Sequence, residues 1–170
     1  GIGNLPTGDR DPFALRRHAL GVIRMLVEKD LPLDLNALLA GAVPAFGDKI
    51  TDASAALADF IYDRLAGSLR EQGYSAQEVD AVLALRPQRL AQVPQFLAAV
   101  RAFAALPESP ALAAANKRVG NILKKAELEG PVDAHVNPDL LQEQAEKDLY
   151  AALQRFVPEA NAQFDAGDYT

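Results

Sequence analysis

Few side chains in this sequence can do chemistry. Cysteine is absent and histidine occurs twice, at His18 and His135. Thiolate zinc sites, thiol nucleophiles and a helical HExxH metal site are therefore excluded. A histidine-based metal centre would have to recruit two positions more than a hundred residues apart. His18 has no carboxylate or second histidine at ligand spacing and reads as a structural imidazole. Tyr62 and Tyr74 have no basic partner placed for acid–base work. The carboxylate pairs Asp59 with Asp63 and Glu143 with Asp148 read as solvated helix faces. Gly1-x-Gly3 and Thr7-Gly8 lack the spacing of a phosphate-cradling loop and follow no strand, which argues against a nucleotide site. No catalytic residue and no metal-ligand set is expected.

Positive charge is more informative. Lys117, Arg118, Lys124 and Lys125 place four cations within nine residues of a chain whose 17 basic and 23 acidic residues leave a net charge of −6. At 100° per residue, Leu112, Ala115, Val119, Ile122 and Ala126 share one helix face, while Lys117, Asn121 and Lys124 lie opposite with Arg118 and Lys125 beside them. Two readings stand. Lys124 and Lys125 can complement the negative end of a helix dipole, with Lys117 serving solubility. Alternatively the stripe contacts phosphates, with Asn116 or Asn121 donating to phosphate or a base edge. Physics alone favours the first. A second basic set, Arg16, Arg17 and Arg24, lies in the first predicted helix, where Arg24 can pair with Glu28 at i,i+4. Arg16 and Arg17 could equally hold carboxylates of a neighbouring domain.

The elements that must position these residues are helices. The sequence holds 32 Ala and 24 Leu against 19 Val, Ile and Thr together, which predicts an all-α fold. Aromatics are only 6%, so the core must be built from Ala and Leu ridges. Asp11-Pro12 predicts a capped helix over Phe13–Lys29, and Asp34 a second from Leu35 to about Phe46, bent or ended by Pro44. A helix from Ile50 or Thr51 to Gln72, closed by Gly73, is expected to be the longest. Ser75-Ala76-Gln77-Glu78 reads as a capping box opening a helix that stops near Arg86-Pro87. Pro94 introduces a helix with Phe96, Val100, Phe103 and Leu106 as its stripe. Pro107 to Pro110 marks the clearest boundary, followed by a helix from Ala111 to about Ala126 and a loop over Glu127 to Asn137. A further helix runs to Phe156, and Pro158 restarts a last one that Gly167 ends. No uncharged stretch is long enough to span a bilayer. The lack of cysteine leans to a cytoplasmic location. Gly1-Ile2-Gly3 begins without an initiator methionine, so the chain reads as a piece of something larger.

Several stretches together carry a resemblance. Leu5-Pro6-Thr7-Gly8-Asp9-Arg10-Asp11-Pro12-Phe13-Ala14-Leu15-Arg16-Arg17, then Ala19 to Arg24, Phe46-Gly47-Asp48-Lys49, Glu71-Gln72-Gly73-Tyr74, Val79 to Pro87 and Ala113 to Leu123 follow in order. They resemble the beta subunit of bacterial glycine–tRNA ligases across essentially the whole chain. His18 departs from the alanine usual there. The resemblance implies a helical array comprising the end of an HD-like domain with connecting helices, residues 1–108, and the first part of a DALR-type anticodon-binding domain, residues 109–170. The helices that follow Asp168-Tyr169-Thr170 in the family are not in the sequence. It also implies a noncatalytic segment whose partners are tRNA(Gly) and an alpha subunit in an α2β2 enzyme. The same resemblance implies that ATP with Mg binds the alpha subunit, that this segment carries no cofactor, and that neither DNA nor a membrane is involved. Lys117, Arg118, Asn121, Lys124 and Lys125 become the implied tRNA contacts. The competing class is a structural adaptor that bridges domains or subunits without touching RNA. A hydrolase of the HD type is excluded because no His-Asp dipeptide occurs.

Overall fold

The structure, a computed structural model, describes residues 6, 7, 10–130 and 135–169. It is all-α: among the described residues the only extended pairing is a single bridge between Thr7 and Arg10. The helices are α1 (Leu15–Glu28), α2 (Leu35–Ala42), α3 (Ser54–Glu71), α4 (Ala76–Leu83), α5 (Val93–Ala104), α6 (Ser109–Glu129) and α7 (Gln144–Asp165). Short 3-10 turns lie at Val43–Lys49, Leu90–Gln92 and Pro138–Leu140. Two compact units result, Gly1–Arg101 and Ala102–Thr170, with the dividing point inside the last turn of α5.

Local chemistry sets most helix ends. Asp34 accepts from Ala37 N–H at 2.8 Å, and Val43-Pro44 then tightens α2 into a 3-10 turn, because proline cannot donate the next helical hydrogen bond. Both halves of the Ser75/Glu78 capping box form, at 3.2 and 2.7 Å. Gly73 and Gly167 adopt φ of +91° and +78°. Each closes a Schellman motif, with Tyr74 N–H donating to Leu69 O and Asp168 N–H to Gln163 O.

Five expectations about elements are corrected. The first helix begins at Leu15, because Ala14 turns into the left-handed region at φ +52°. Asp11 still caps it, reaching forward so that its carboxylate accepts from the N–H groups of Leu15 (2.8 Å) and Arg16 (3.0 Å). These bonds, that of Arg16 first, hold the Asp11 pKa below its ordinary value. α3 has 18 residues and is not the longest helix, since α6 has 21 and α7 has 22. Pro158 does not restart a helix but lies inside continuous α7: proline removes one N–H, and the turns on both sides remain hydrogen-bonded. The stripe expected on α5 gives way to Val93, Phe96 and Leu97 as the buried residues, while Phe103 and Leu106 are exposed. Within the loop expected over Glu127 to Asn137, Glu127 to Glu129 belong to α6, and residues 131–134 lie outside those described.

In the first unit α3 is the centre, packing against α1, α2 and α4, while α1 also packs on the Leu90–Gln92 turn. Ile61, Leu65 and Leu69 of α3 are buried with Ile23 and Leu26 of α1, Leu35 of α2, and Val79 and Val82 of α4. The second unit contrasts sharply. Ser109 is its only buried side chain among those described, and α6 and α7 both present open apolar stripes, such as Leu149, Leu153, Phe156 and Phe164 on α7.

Candidate nucleic-acid interface

α6 opens with Pro110 in its first turn, where a missing N–H costs nothing. An unbroken run of helix then carries Lys117, Arg118, Asn121, Lys124 and Lys125 into solvent. Leu112 and Val119, on the other side of the helix, are 54% and 53% exposed, and Ile122, at the edge between the two faces, is 57% exposed. Lys117, Arg118 and Lys125 line a shallow groove of about 390 Å³ together with Ala114, Asn121 and Ile122, and neither Lys124 nor any carboxylate lines it.

The helix-dipole account of the stripe fails on geometry. α6 runs on to Glu129, so Lys124 and Lys125 precede its last turn, which holds Glu127 and Glu129 and no base. Dipole stabilisation falls off within that last turn. The four cations also differ from most arginines of the first unit. Arg24, Arg64, Arg70, Arg86 and Arg101 each bind a carboxylate at 2.6–3.3 Å, whereas Lys117, Arg118, Lys124 and Lys125 make no ion pair among the described residues. Lys117 and Lys124 are separated by about 10 Å along the helix, from a rise of ~1.5 Å per residue. Such a face attracts a polyanion without regard to its sequence.

The α1 set is less concentrated. Arg24 is engaged by Glu28 at 3.0 Å, Arg16 is half-buried behind the Asp11 cap, and Arg17 is exposed. His18 is exposed on the surface of α1 and not a packed imidazole: its position falls on the side of the helix away from Ala19, Ile23 and Leu26. A cleft of about 200 Å³ in the first unit is walled by apolar residues including Ile23, Leu65, Leu69 and Leu97, with Ser68, Gln72 and Tyr74 at its edge. No group of three metal-ligating side chains gathers among the described residues.

Both central tyrosines have cationic partners that the sequence hides. Arg86 lies 4.7 Å from the Tyr62 ring centroid and Arg101 lies 4.3 Å from that of Tyr74. Each sits over the ring face, where it stabilises packing and takes no part in proton transfer at the hydroxyl. The Tyr62 hydroxyl instead donates to Pro87 O at 3.0 Å, and burial pushes its pKa up. Arg101 also binds Glu78 at 2.6 Å and, with the Ser75 N–H, holds the Glu78 carboxyl down at about 2. Partners 23 to 27 residues apart leave no local pattern to read.

A family model described as Glycyl-tRNA synthetase beta subunit matches residues 1–84. All 170 residues align with curated proteins named glycine–tRNA ligase beta subunit, at 86% identity in Paracidovorax citrulli and 75% in Delftia acidovorans. The chain is a match to a segment of glycine–tRNA ligase beta subunits. In Dechloromonas aromatica the identity is 65% over 172 aligned residues. In each of these three the chain spans 24% of the relative's length. The beta-subunit likeness thus extends through α6 and its basic face, well past the 84 residues that the family model matches.

Proposed function

We propose that this chain is a noncatalytic, tRNA-holding segment of a glycine–tRNA ligase beta subunit and that the basic face of α6 contacts tRNA(Gly). Residues 1–108 serve as the end of an HD-like domain with its connecting helices, and residues 109–170 open a DALR-type anticodon-binding domain. Attachment of glycine, with ATP and Mg, belongs to the alpha subunit of an α2β2 enzyme in the cytoplasm. The observation that carries the reading is the α6 face itself. Four cations sit clear of the helix end without carboxylate partners among the described residues, and three of them, Lys117, Arg118 and Lys125, line a groove with no acid in its lining. Lysine and arginine hold the RNA backbone while unpaired bases are read beside it.

Salt dependence tests this. If four cations each neutralise one phosphate of an unpaired strand, the slope of log K against log salt gains about −2.8, at ~0.7 per phosphate. Replacing Lys117 and Lys124 by alanine in the assembled ligase should halve that contribution. The part of the affinity loss due to this face between 50 and 200 mM salt would then fall from about fifty-fold to about seven-fold. An unchanged slope would assign the lysines to solubility. The apolar side of α6, with Leu112, Val119 and Ile122 exposed, favours a second reading as a structural adaptor docking on protein. In that case tRNA binding and its slope stay constant while assembly of the subunits weakens on Val119→Asp.

A further inference from the structure

Helix α1 turns one side to its own unit and leaves the other unexplained by the fold. Ala19, Ile23 and Leu26 are buried, and at ~100° per residue Gly21 lies on the opposite side of the helix. A Cβ at Gly21 would meet nothing within 4 Å, so no packing inside the chain calls for glycine, the poorest helix former after proline. Arg17, Gly21, Met25 and Lys29 follow one another at four-residue spacing, the row that forms a ridge on a helix surface, and all four are exposed. Glycine interrupts that ridge. The gap belongs to a shallow dent of about 260 Å³ lined by Gly21, Arg24, Met25, Glu28 and Lys29. Met25, the single methionine of the chain, is 57% exposed beside it. The charges divide as well. Arg24 is engaged by Glu28 at 3.0 Å, whereas Arg17 and Lys29, ~18 Å apart along the helix at ~1.5 Å per residue, make no ion pair among the described residues.

An interrupted ridge of this kind accepts the ridge of a second helix, and methionine adapts to the side chain that enters. Methionine and arginine are also enriched where proteins meet. A nucleic-acid strand suits the face less, because Glu28 opposes phosphate within the dent and the two free cations stand far apart. Size decides where the partner comes from. A face about 21 Å long and ~10 Å across falls far short of the ~800 Å² per partner of a free-standing complex. A helix of the same polypeptide needs less area, because its tether raises the effective concentration. The chain spans 24% of the length of its relatives, so a beta subunit holds ample polypeptide to supply one. Resting on the reading of this chain as a segment of such a subunit, though not on RNA binding by α6, we propose that the outer face of α1 docks a helix from elsewhere in the same subunit. That helix carries an aliphatic side chain for the Gly21 gap and a carboxylate for each of Arg17 and Lys29.

The test uses the assembled ligase. A carbodiimide joins a lysine amine to a carboxylate only where the two touch, so peptide mass spectrometry of the treated enzyme reports what Lys29 meets. Lys29 should be joined to an Asp or Glu of the beta subunit outside residues 1–170, and Met25 should resist oxidation by peroxide. Gly21→Leu fills the gap, and Arg17→Glu sets like charges against each other. Each should abolish the cross-link and raise the rate at which Met25 becomes its sulfoxide by about tenfold, a shift that one like-charge contact across an interface suffices to produce. Both positions are exposed and both replacements suit a helix, and an unchanged far-ultraviolet circular dichroism spectrum would show that the fold is retained. A Lys29 cross-link to the alpha subunit, cross-links confined to residues 1–170, or none at all would each overturn the proposal. So would a Met25 oxidation rate that neither variant changes, or protection of Met25 that requires added tRNA. The salt slope assigned to the α6 lysines is a separate measurement, so either reading can fail without the other.

Discussion

Replacing Tyr62 by phenylalanine isolates one atom on which three segments of the first unit converge. The Tyr62 side chain is 6% exposed. Its hydroxyl donates to Pro87 O at 3.0 Å and accepts from Gln88 Nε2 at 3.2 Å. Gln88 in turn fastens the start of α2, accepting from Leu35 N–H at 2.9 Å through its carbonyl and from Asn36 N–H at 3.3 Å through its side chain. Removing the hydroxyl leaves the ring in place beneath Arg86, so packing and the cation–π contact survive. Gln88 Nε2 keeps a second acceptor in Arg86 O at 3.2 Å. The loss is therefore one hydrogen bond and one orphaned acceptor on the buried Pro87, about 1–2.5 kcal/mol together. For a unit of this size each kcal/mol moves the melting temperature by roughly 4–8 °C. Urea unfolding of the chain and of Tyr62→Phe should show a lower midpoint with an unchanged m-value. A double-mutant cycle with Gln88→Ala should show coupling of at least about 0.5 kcal/mol. Alkaline titration gives an independent check. Because burial raises the phenol pKa in the fold above its ordinary value of 10.0, the folded state retains a proton that the unfolded state gives up. Stability should fall as pH rises past that value, and this part of the fall should vanish in Tyr62→Phe. A destabilisation below about 0.5 kcal/mol with strictly additive effects of Gln88→Ala would refute the network.

Two further predictions concern helix α1 and the α4–α5 contact. Ala14, at φ +52°, carries left-handed strain of about 1–2 kcal/mol, against which glycine would cost about 0.4–1 kcal/mol in unfolded-chain entropy. Ala14→Gly should therefore stabilise the chain by about 0.5–1 kcal/mol in urea unfolding, and a net loss would contradict the strained turn. The Glu78 carboxyl is held at about 2 in the fold, by Arg101 first and then by Ser75, against an ordinary 4.5. Its contribution to stability is full above pH 4.5 and disappears as pH falls toward 2. Melting temperatures measured across that window should decline less steeply in Glu78→Gln, and parallel curves would show that the contact with Arg101 carries no linkage.

What the sequence discloses is chemistry that closes within one helical turn. Asp34, Ser75 with Glu78, Gly73 and Gly167 act on backbone groups two to five residues away, and all four end helices where their residue types predict. Pro158 misleads because a residue's preference is only one contribution among many. An interior proline costs about 3 kcal/mol relative to alanine, yet α7 remains helical on both sides of it and ends instead at Gly167. The burial of Leu35 and Leu90, the Tyr62–Arg86–Asp59 cluster and the Arg101–Glu78 bond depend on residues 23 to 55 positions apart, where no periodicity operates. His18 shows the same limit. It lies in a helix with many apolar residues, but one helical position separates it from the buried line through Ala19, Ile23 and Leu26.

The candidate interface was half visible for a different reason. Identity and spacing mark Lys117, Arg118, Asn121, Lys124 and Lys125, while their significance depends on where α6 stops and on what the charges already bind. A helix ending near Ala126 would put Lys124 and Lys125 in its last turn, and their presence would need no ligand to explain it. The observed helix continues to Glu129 and has no base in its last turn, so Lys124 and Lys125 lie too far back to compensate the negative end of its dipole. Ion pairing completes the argument. Acidic residues outnumber basic ones by 23 to 17, so in a chain governed only by charge balance the surplus carboxylates would engage every cation. They engage Arg24, Arg64, Arg70, Arg86 and Arg101 and leave scattered cations such as Arg17, Lys29 and Arg89 without an ion pair among the described residues, but only on α6 do four such cations share one helix. A net charge of −6 therefore says little about polyanion binding, because the attraction that a strand feels within a Debye length of about 8–10 Å is set by the local face and not by the total.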